Sequence, residues 1–187
     1  MKLAEAVALY LEAQGVKHVF GVNGGANLHL IHGIADATKI QFIPTSHEQG
    51  AGFAADAYAR IKGLGVATAT SGPGSTNLVT AISAAWQDSI PVLFIVGNVA
   101  TFRRGAGFGV RAYGFQELDF VAMVKGVTKY AVQVNDPMQI FRELDFAIAM
   151  MNEGRKGPAV IDIPDDVQRM DVDFDALPRF RPHHAYP

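Results

Sequence analysis

Residues 91–96 read PVLFIV, a run with no polar side chain on either set of alternating positions. Half-buried strands alternate apolar and polar residues, so this run belongs to a strand covered on both faces. Such cover requires helices above and below the sheet, and therefore a chain in which strands and helices alternate. The remaining sequence has that alternation. HVFGV (18–22), IQFIPT (40–45), VATAT (66–70), VTKYAVQV (127–134) and GPAVIDIP (157–164) are further β-prone runs. Between them apolar residues recur at helical spacing. Leu3, Ala6, Val7, Tyr10 and Leu11 precede Gly15; Leu28, Ile31, Ile34 and Ala35 form a second stripe; Phe53, Ala54, Ala57, Tyr58 and Ile61 precede Gly63; Leu78 to Trp86 form a fourth. Asn135-Asp136-Pro137 opens a last helix that runs to about Met151. The expected fold is a three-layer α/β/α domain around a six-stranded parallel sheet.

The bulk numbers narrow the classes of function. A chain of 187 residues, 49% hydrophobic and 18% charged, is long and apolar enough for a real core. Sixteen basic residues against 18 acidic ones leave a net charge of −2, which gives no electrostatic case for nucleic acid or an anionic membrane. The absence of cysteine excludes thiolate nucleophiles, disulfides and zinc–cysteine sites. Met1-Lys2 leads straight into an amphipathic pattern without the features of a signal peptide. The longest apolar run, residues 90–100, falls short of the roughly 20 residues that cross a bilayer. The expectation is a soluble, cytoplasmic protein.

Two segments fall outside the alternation. The glycine- and arginine-rich stretch 101–114 reads as a mobile loop, with Arg103 and Arg104 either meeting a carboxylate ligand or, the plainer reading, solvated. After Pro164 come acidic residues and prolines without apolar periodicity. The domain is therefore expected over residues 1–168, with a linker or tail at 169–187 leading toward a further domain. His183 and His184 lack a third ligand and read as solvated tail residues, so no metal site is expected on this chain.

In open α/β sheets ligands bind beyond the carboxyl ends of the strands. Three turns fall there: GVNGGAN (21–27), PTSHEQG (44–50) and TSGPGSTN (70–77). All are rich in small residues, so backbone can approach a ligand closely. SGPGSTN offers a helix start to an anion, but Asn77 stands where a third glycine would complete G-x-G-x-x-G, and the lysine of a P-loop is missing. GAGFG (105–109) has no strand directly before it. Structural turn and phosphate cradle both stay open for each.

Glu48 heads the helical stripe after PTSHEQG. An acid in the first turn gains about 0.3–1 kcal/mol from the helix dipole, which would account for it without chemistry. Its neighbours point elsewhere. Ala51, Gly52, Ala54 and Ala55 cannot pair a charge, and they leave room for a flat ligand. Burial favours the neutral acid and a helix N-terminus the carboxylate, so the balance stays open.

The segments HEQGAGFAADAYAR, TSGPGSTN, AAWQDSIPVLFIVGNV, GFQELD, VTKY and GPAVIDIPDDVQ occur in this order. Together they resemble the N-terminal pyrimidine-binding (PYR) domain of thiamine-diphosphate-dependent enzymes, closest to the acetolactate synthase group, over roughly residues 1–170. The resemblance implies a PYR-type fold and a role for Glu48. In that family the glutamate hydrogen-bonds the cofactor's aminopyrimidine and favours its imino tautomer, whose nitrogen removes the thiazolium C2 proton. The substrates are 2-keto acids. By similarity Thr70, Pro73 and Asn77 line the pyrimidine pocket, and Gly24, Gly25 and Ala26 form the loop over its reactive end. His47, Phe115 and Gln116 match positions near the substrate; a surface histidine, a core phenylalanine and a helix-start glutamine are the plainer readings.

Two departures stand out. Asn23 occupies a position where many relatives carry proline. The family holds the diphosphate through Mg²⁺ on a G-D-G…N-N motif in a separate PP domain, and neither G-D-G nor an asparagine pair occurs here. The resemblance thus implies half an active site, inactive alone, with the PP domain elsewhere in the polypeptide or supplied in trans, and a homodimer or larger assembly. A PYR subunit of a two-chain sulfopyruvate- or phosphonopyruvate-type decarboxylase is one alternative, and a non-catalytic ligand-binding module of the same fold another. Glu48 argues against the module, which would have no use for that acid.

Overall fold

The computed structural model describes residues 1–180. All six expected strands form: β1 (His18–Gly21), β2 (Gln41–Pro44), β3 (Gly65–Ala69), β4 (Val92–Asn98), β5 (Tyr130–Gln133) and β6 (Ala159–Pro164). They make one parallel sheet in the order β2-β1-β3-β4-β6-β5. The helices are α1 (Leu3–Ala13), α2 (Leu28–Ala37), α3 (Glu48–Lys62), α4 (Pro73–Thr76), α5 (Val79–Asp88), α6 (Phe120–Val124), α7 (Ile140–Asn152) and α8 (Asp165–Gln168).

Every residue of β4 is buried, as its sequence requires. Leu93 and Ile95 point into one core layer, with Leu3, Leu11, Leu30, Ile34 and Leu144 from α1, α2 and α7. Val92, Phe94 and Val96 point into the other, with Ala55, Ala59 and Ile82 from α3 and α5. The period-two alternation of a strand thus divides one apolar run between two cores. Gly15 at φ +81 and Gly63 at φ +86 turn the chain after α1 and α3 in the left-handed region that glycine tolerates.

Three expectations change. The 101–114 stretch is anchored, not free. It forms short 3₁₀ turns at Thr101–Arg103 and Gly105–Phe108. The Glu117 carboxylate accepts from the N–H groups of Gly105 (2.7 Å), Tyr113 (2.7 Å) and Gly114 (3.1 Å). Burial by itself pushes the Glu117 carboxyl up, but these donors and nearby Arg104 hold it below its usual range. Arg103 is exposed as expected, whereas the Nε and Nη2 atoms of Arg104 are buried without partners among the described residues.

Glycine-rich SGPGST contains a helical turn, α4, and the five-residue α6 was not anticipated because it is too short for a periodic stripe.

Residues 169–180, expected as the start of a linker, lie against the domain. Leu3 N–H donates to Met170 O and Val172 N–H to Met1 O, each at 2.9 Å. Val167, Val172 and Leu177 are buried in the same layer as α1 and α7. Arg179 pairs with Asp145 at 2.7 Å and stacks over Tyr10 and Phe141. His183 and His184 lie outside the described residues. No helix among the described residues is long and apolar enough to cross a membrane.

Candidate active site

The strand order puts β1 between β2 and β3, so the chain reverses its direction of travel across the sheet after β2. Such a switch opens a crevice beyond the carboxyl ends of the flanking strands. The turns after β1 and β3 meet there. Ala26 N–H donates to Thr70 Oγ1 at 3.1 Å. A Cβ on Gly24 would stand 2.5 Å from the Thr70 Cβ, so only glycine lets the two turns touch. Asn27, fully buried, staples the first turn from within: its Oδ1 accepts from Gly24 N–H at 2.8 Å and its Nδ2 donates to Val22 O at 3.1 Å.

Glu48 is the first residue of α3 and only 8% exposed. His47 caps the helix, its Nδ1 accepting from Gln49 N–H at 3.2 Å, with the ring at the surface. Asn77 Nδ2 donates to Glu48 Oε2 at 2.9 Å. Among the described residues no group donates to Oε1. Beside it lies Gly74, where a Cβ would fall 3.3 Å from Oε1 and 2.7 Å from Thr70 Cγ2. The missing side chain lets the α4 backbone, Thr70 and the acid with its one free oxygen pack close together. That arrangement suits a flat ring carrying a hydrogen-bonding nitrogen.

On the other side of Thr70 lies a cavity of about 230 Å³. Gly25, Ala26, Thr70, Phe115 and Gln116 line it, with Arg103 and Asp165 at its sides. Phe115 is 86% exposed, so it is no core residue. Gln116 has φ +62 and packs its carbonyl against Gly72, itself at φ +59. A non-glycine residue in the left-handed region is a local strain that clusters at functional sites.

The structure therefore divides the expected residues. Gly25, Ala26, Thr70, Phe115 and Gln116 share the cavity, with Gly24 against Thr70. Glu48 and Asn77 form an adjoining compartment across Gly74. Pro73, exposed at the first position of α4, and His47 line neither.

The sequence reading missed a set of polar residues in IDIPDDVQ. Asp162 Oδ2 accepts from Asn98 Nδ2 at 2.7 Å, and Asn98 also donates to Leu118 O at 3.1 Å. Asp162 is fully buried, and desolvation pushes its carboxyl up to about 6 against the opposing pull of Asn98, Gln133 and Arg104. Asp166 accepts from Thr101 N–H at 3.0 Å and Oγ1 at 2.5 Å. Gln168 Nε2 donates to Ala26 O and Ile163 O, both at 2.7 Å. One segment thus grips the end of β4 and the turns after β1 and β4 at the ligand end of the sheet. The available signal was an acid inside an otherwise apolar strand, Asp162 in AVIDIP.

The sequence model of the thiamine pyrophosphate enzyme N-terminal TPP-binding domain matches residues 1–123. Among curated proteins the chain is 41% identical over 179 residues to a probable acetolactate synthase large subunit of Methanocaldococcus jannaschii, covering 95% of this chain and 29% of that protein. It is 40% identical over 185 residues to the acetolactate synthase large subunit of Corynebacterium glutamicum, covering 96% and 29%. Against the mitochondrial acetolactate synthase of Schizosaccharomyces pombe it is 42% identical over 153 residues, covering 81% and 22%. The chain spans less than a third of the length of these relatives.

Proposed function

The chain belongs to the thiamine pyrophosphate enzymes through their N-terminal TPP-binding domain, and from that premise we propose that it is the pyrimidine-binding part of an acetolactate synthase-like enzyme acting on 2-keto acids. The observation that carries this reading is Glu48: buried, held through Oε2 by Asn77, with Oε1 free beside the bare backbone of Gly74.

When bound, thiamine diphosphate supplies a thiazolium carbon that adds to a keto carbonyl and takes up the electrons released on decarboxylation. The residues of this chain prepare that chemistry. Glu48 Oε1, the carboxyl oxygen without a donor, would be the atom that holds a proton toward the cofactor's aminopyrimidine. Asn77 fixes the carboxyl plane through Oε2, which would leave Oε1 to face the ring. Gly74, with no side chain, lets Thr70 and the acid approach each other closely, and burial keeps water from competing for the proton. The adjoining cavity, walled by Gly25, Ala26, Phe115 and Gln116, receives the keto acid. His47 serves as helix cap.

The diphosphate and its Mg²⁺ fall to a PP domain elsewhere in the polypeptide or on a partner chain. The length of the relatives, more than three times what this chain spans, leaves room for such a domain. We place the intact enzyme as a homodimer or larger assembly. Phe53 and Ile61, 42% and 79% exposed on the helix that Glu48 begins, support a contact on that side. Identities of 40–42% to acetolactate synthases favour this assignment over a two-chain decarboxylase.

The test is Glu48→Gln in the enzyme carrying this chain, saturated with thiamine diphosphate and Mg²⁺. Exchange of the C2 proton, followed by NMR after acid quench, should fall about 100-fold or more, with unchanged circular dichroism. Exchange at the wild-type rate would overturn the role of Glu48.

A further inference from the structure

We propose that Gln168 is a positioning residue for the keto-acid cavity, acting through the Ala26 peptide. The inference rests on the reading of that cavity given above. Gln168 is fully buried, and its Nε2 donates to Ala26 O and Ile163 O at 2.7 Å each. The amide orientation follows from chemistry: turned over, its carbonyl would face two other carbonyls. Gln168 does not line the cavity, so whatever it contributes reaches the ligand through Ala26.

Ala26 is held from both ends of its residue. Its N–H goes to Thr70 Oγ1 at the end of β3, and its carbonyl receives Gln168 from α8. Below it β4 leaves no slack, since a Cβ on Gly97 would stand 1.8 Å from Ala26 O. The Asn27 staple stiffens the turn internally but ties it to no later element than β3, through Thr68 Oγ1 at 3.3 Å. Among the described residues, Gln168 supplies the hydrogen bond that ties the cavity wall to the elements beyond β4. Without its donors the half-buried Ala26 carbonyl loses the partner that fixes its direction, and the peptide that forms the cavity wall is free to rotate.

Two measurements test this. In the chain itself, Gln168→Met keeps the length and removes the donors. Native-state hydrogen exchange of the Ala26 and Asn27 amides should accelerate about tenfold or more, while Phe94 and Ile161 keep wild-type protection. Gln168→Glu can donate only when protonated, so its protection at Ala26 should recover as the pH falls from 8 to 5. A merely space-filling side chain would show no such recovery. Wild-type protection at Ala26 in Gln168→Met overturns the proposal. If that variant fails to fold, pH-independent protection at Ala26 in Gln168→Glu overturns it.

In the enzyme carrying this chain, Gln168→Met should raise KM for the keto acid about tenfold, with C2 proton exchange within about threefold of wild type, because Glu48 and Asn77 are untouched. A loosened turn with unchanged KM overturns the positioning role. Failure of the cofactor reading shows separately, as normal C2 exchange in Glu48→Gln, and leaves the exchange result at Ala26 standing.

Discussion

Asn77 donates to Glu48 at 2.9 Å, so the residue that caps the end of α4 holds the acid that begins α3. The bond joins the turn after β3 to the turn after β2 and sets which carboxyl oxygen is free. Asn77→Ala leaves Oε2 of the buried Glu48 without a donor. Thermal or urea unfolding should show a loss of about 1–3 kcal/mol, and C2 proton exchange in the whole enzyme should slow because the carboxyl plane is no longer fixed.

Two glycines near Ala26 should respond in opposite ways. A Cβ on Gly97 meets the Ala26 carbonyl at 1.8 Å, backbone that cannot step aside. Gly97→Ala should cost at least about 3 kcal/mol in urea unfolding. A Cβ on Gly25 meets nothing within 4 Å. Gly25→Ala should stay within about 0.5 kcal/mol of wild type and show its effect in substrate affinity instead.

Asp162 gives a pH signature. In the folded chain it keeps its proton up to about pH 6, while the ordinary aspartate value is 3.8. Between those values the folded state binds the extra proton, so stability falls as pH rises through the window, and the contribution is gone above about 6. Asn98, Gln133 and Arg104 pull against desolvation, and Asp119 adds to it. Asp162→Asn removes the titration. Compared with wild type from pH 4 to 7 by urea unfolding, the variant should gain relative stability by up to about 3 kcal/mol.

Truncation after Arg169 should be costly. It removes the buried Val172 and Leu177, the bonds from Leu3 and to Met1, and the Arg179 cover over Tyr10 and Phe141. Full burial of each large aliphatic side chain is worth about 1.5–3 kcal/mol. A loss of several kcal/mol is expected, read as a lowered melting temperature with α1 amides exchanging faster. An unchanged melting temperature would show that the segment does not support the domain.

How much of this was legible in the sequence depended on whether the cause lay nearby in the chain. PVLFIV disclosed the layered sheet because an apolar run on both faces admits few solutions. Glu48 stood out because its neighbours cannot pair a charge. The packing of residues 169–180 gave no such sign: Val167, Val172 and Leu177 are spaced at neither strand nor helix period, and backbone bonds to Met1 and Leu3 hold the segment. Arg104 and Arg103 look alike in a glycine-rich stretch, yet Glu117 draws the loop inward and buries part of one guanidinium. Gln168 sits among polar residues in the chain, and one of its two partners is an alanine 142 positions away.

That separation has a consequence for how the chain is made. At about 5–20 residues per second of synthesis, the Ala26 turn waits roughly 7–28 s for the glutamine 142 positions later that holds its carbonyl. Contacts this distant form late in folding. The keto-acid end of the cavity is therefore among the last parts of the domain to set. A nascent chain stalled within β6 would carry most of its sheet and still lack a finished wall for its substrate.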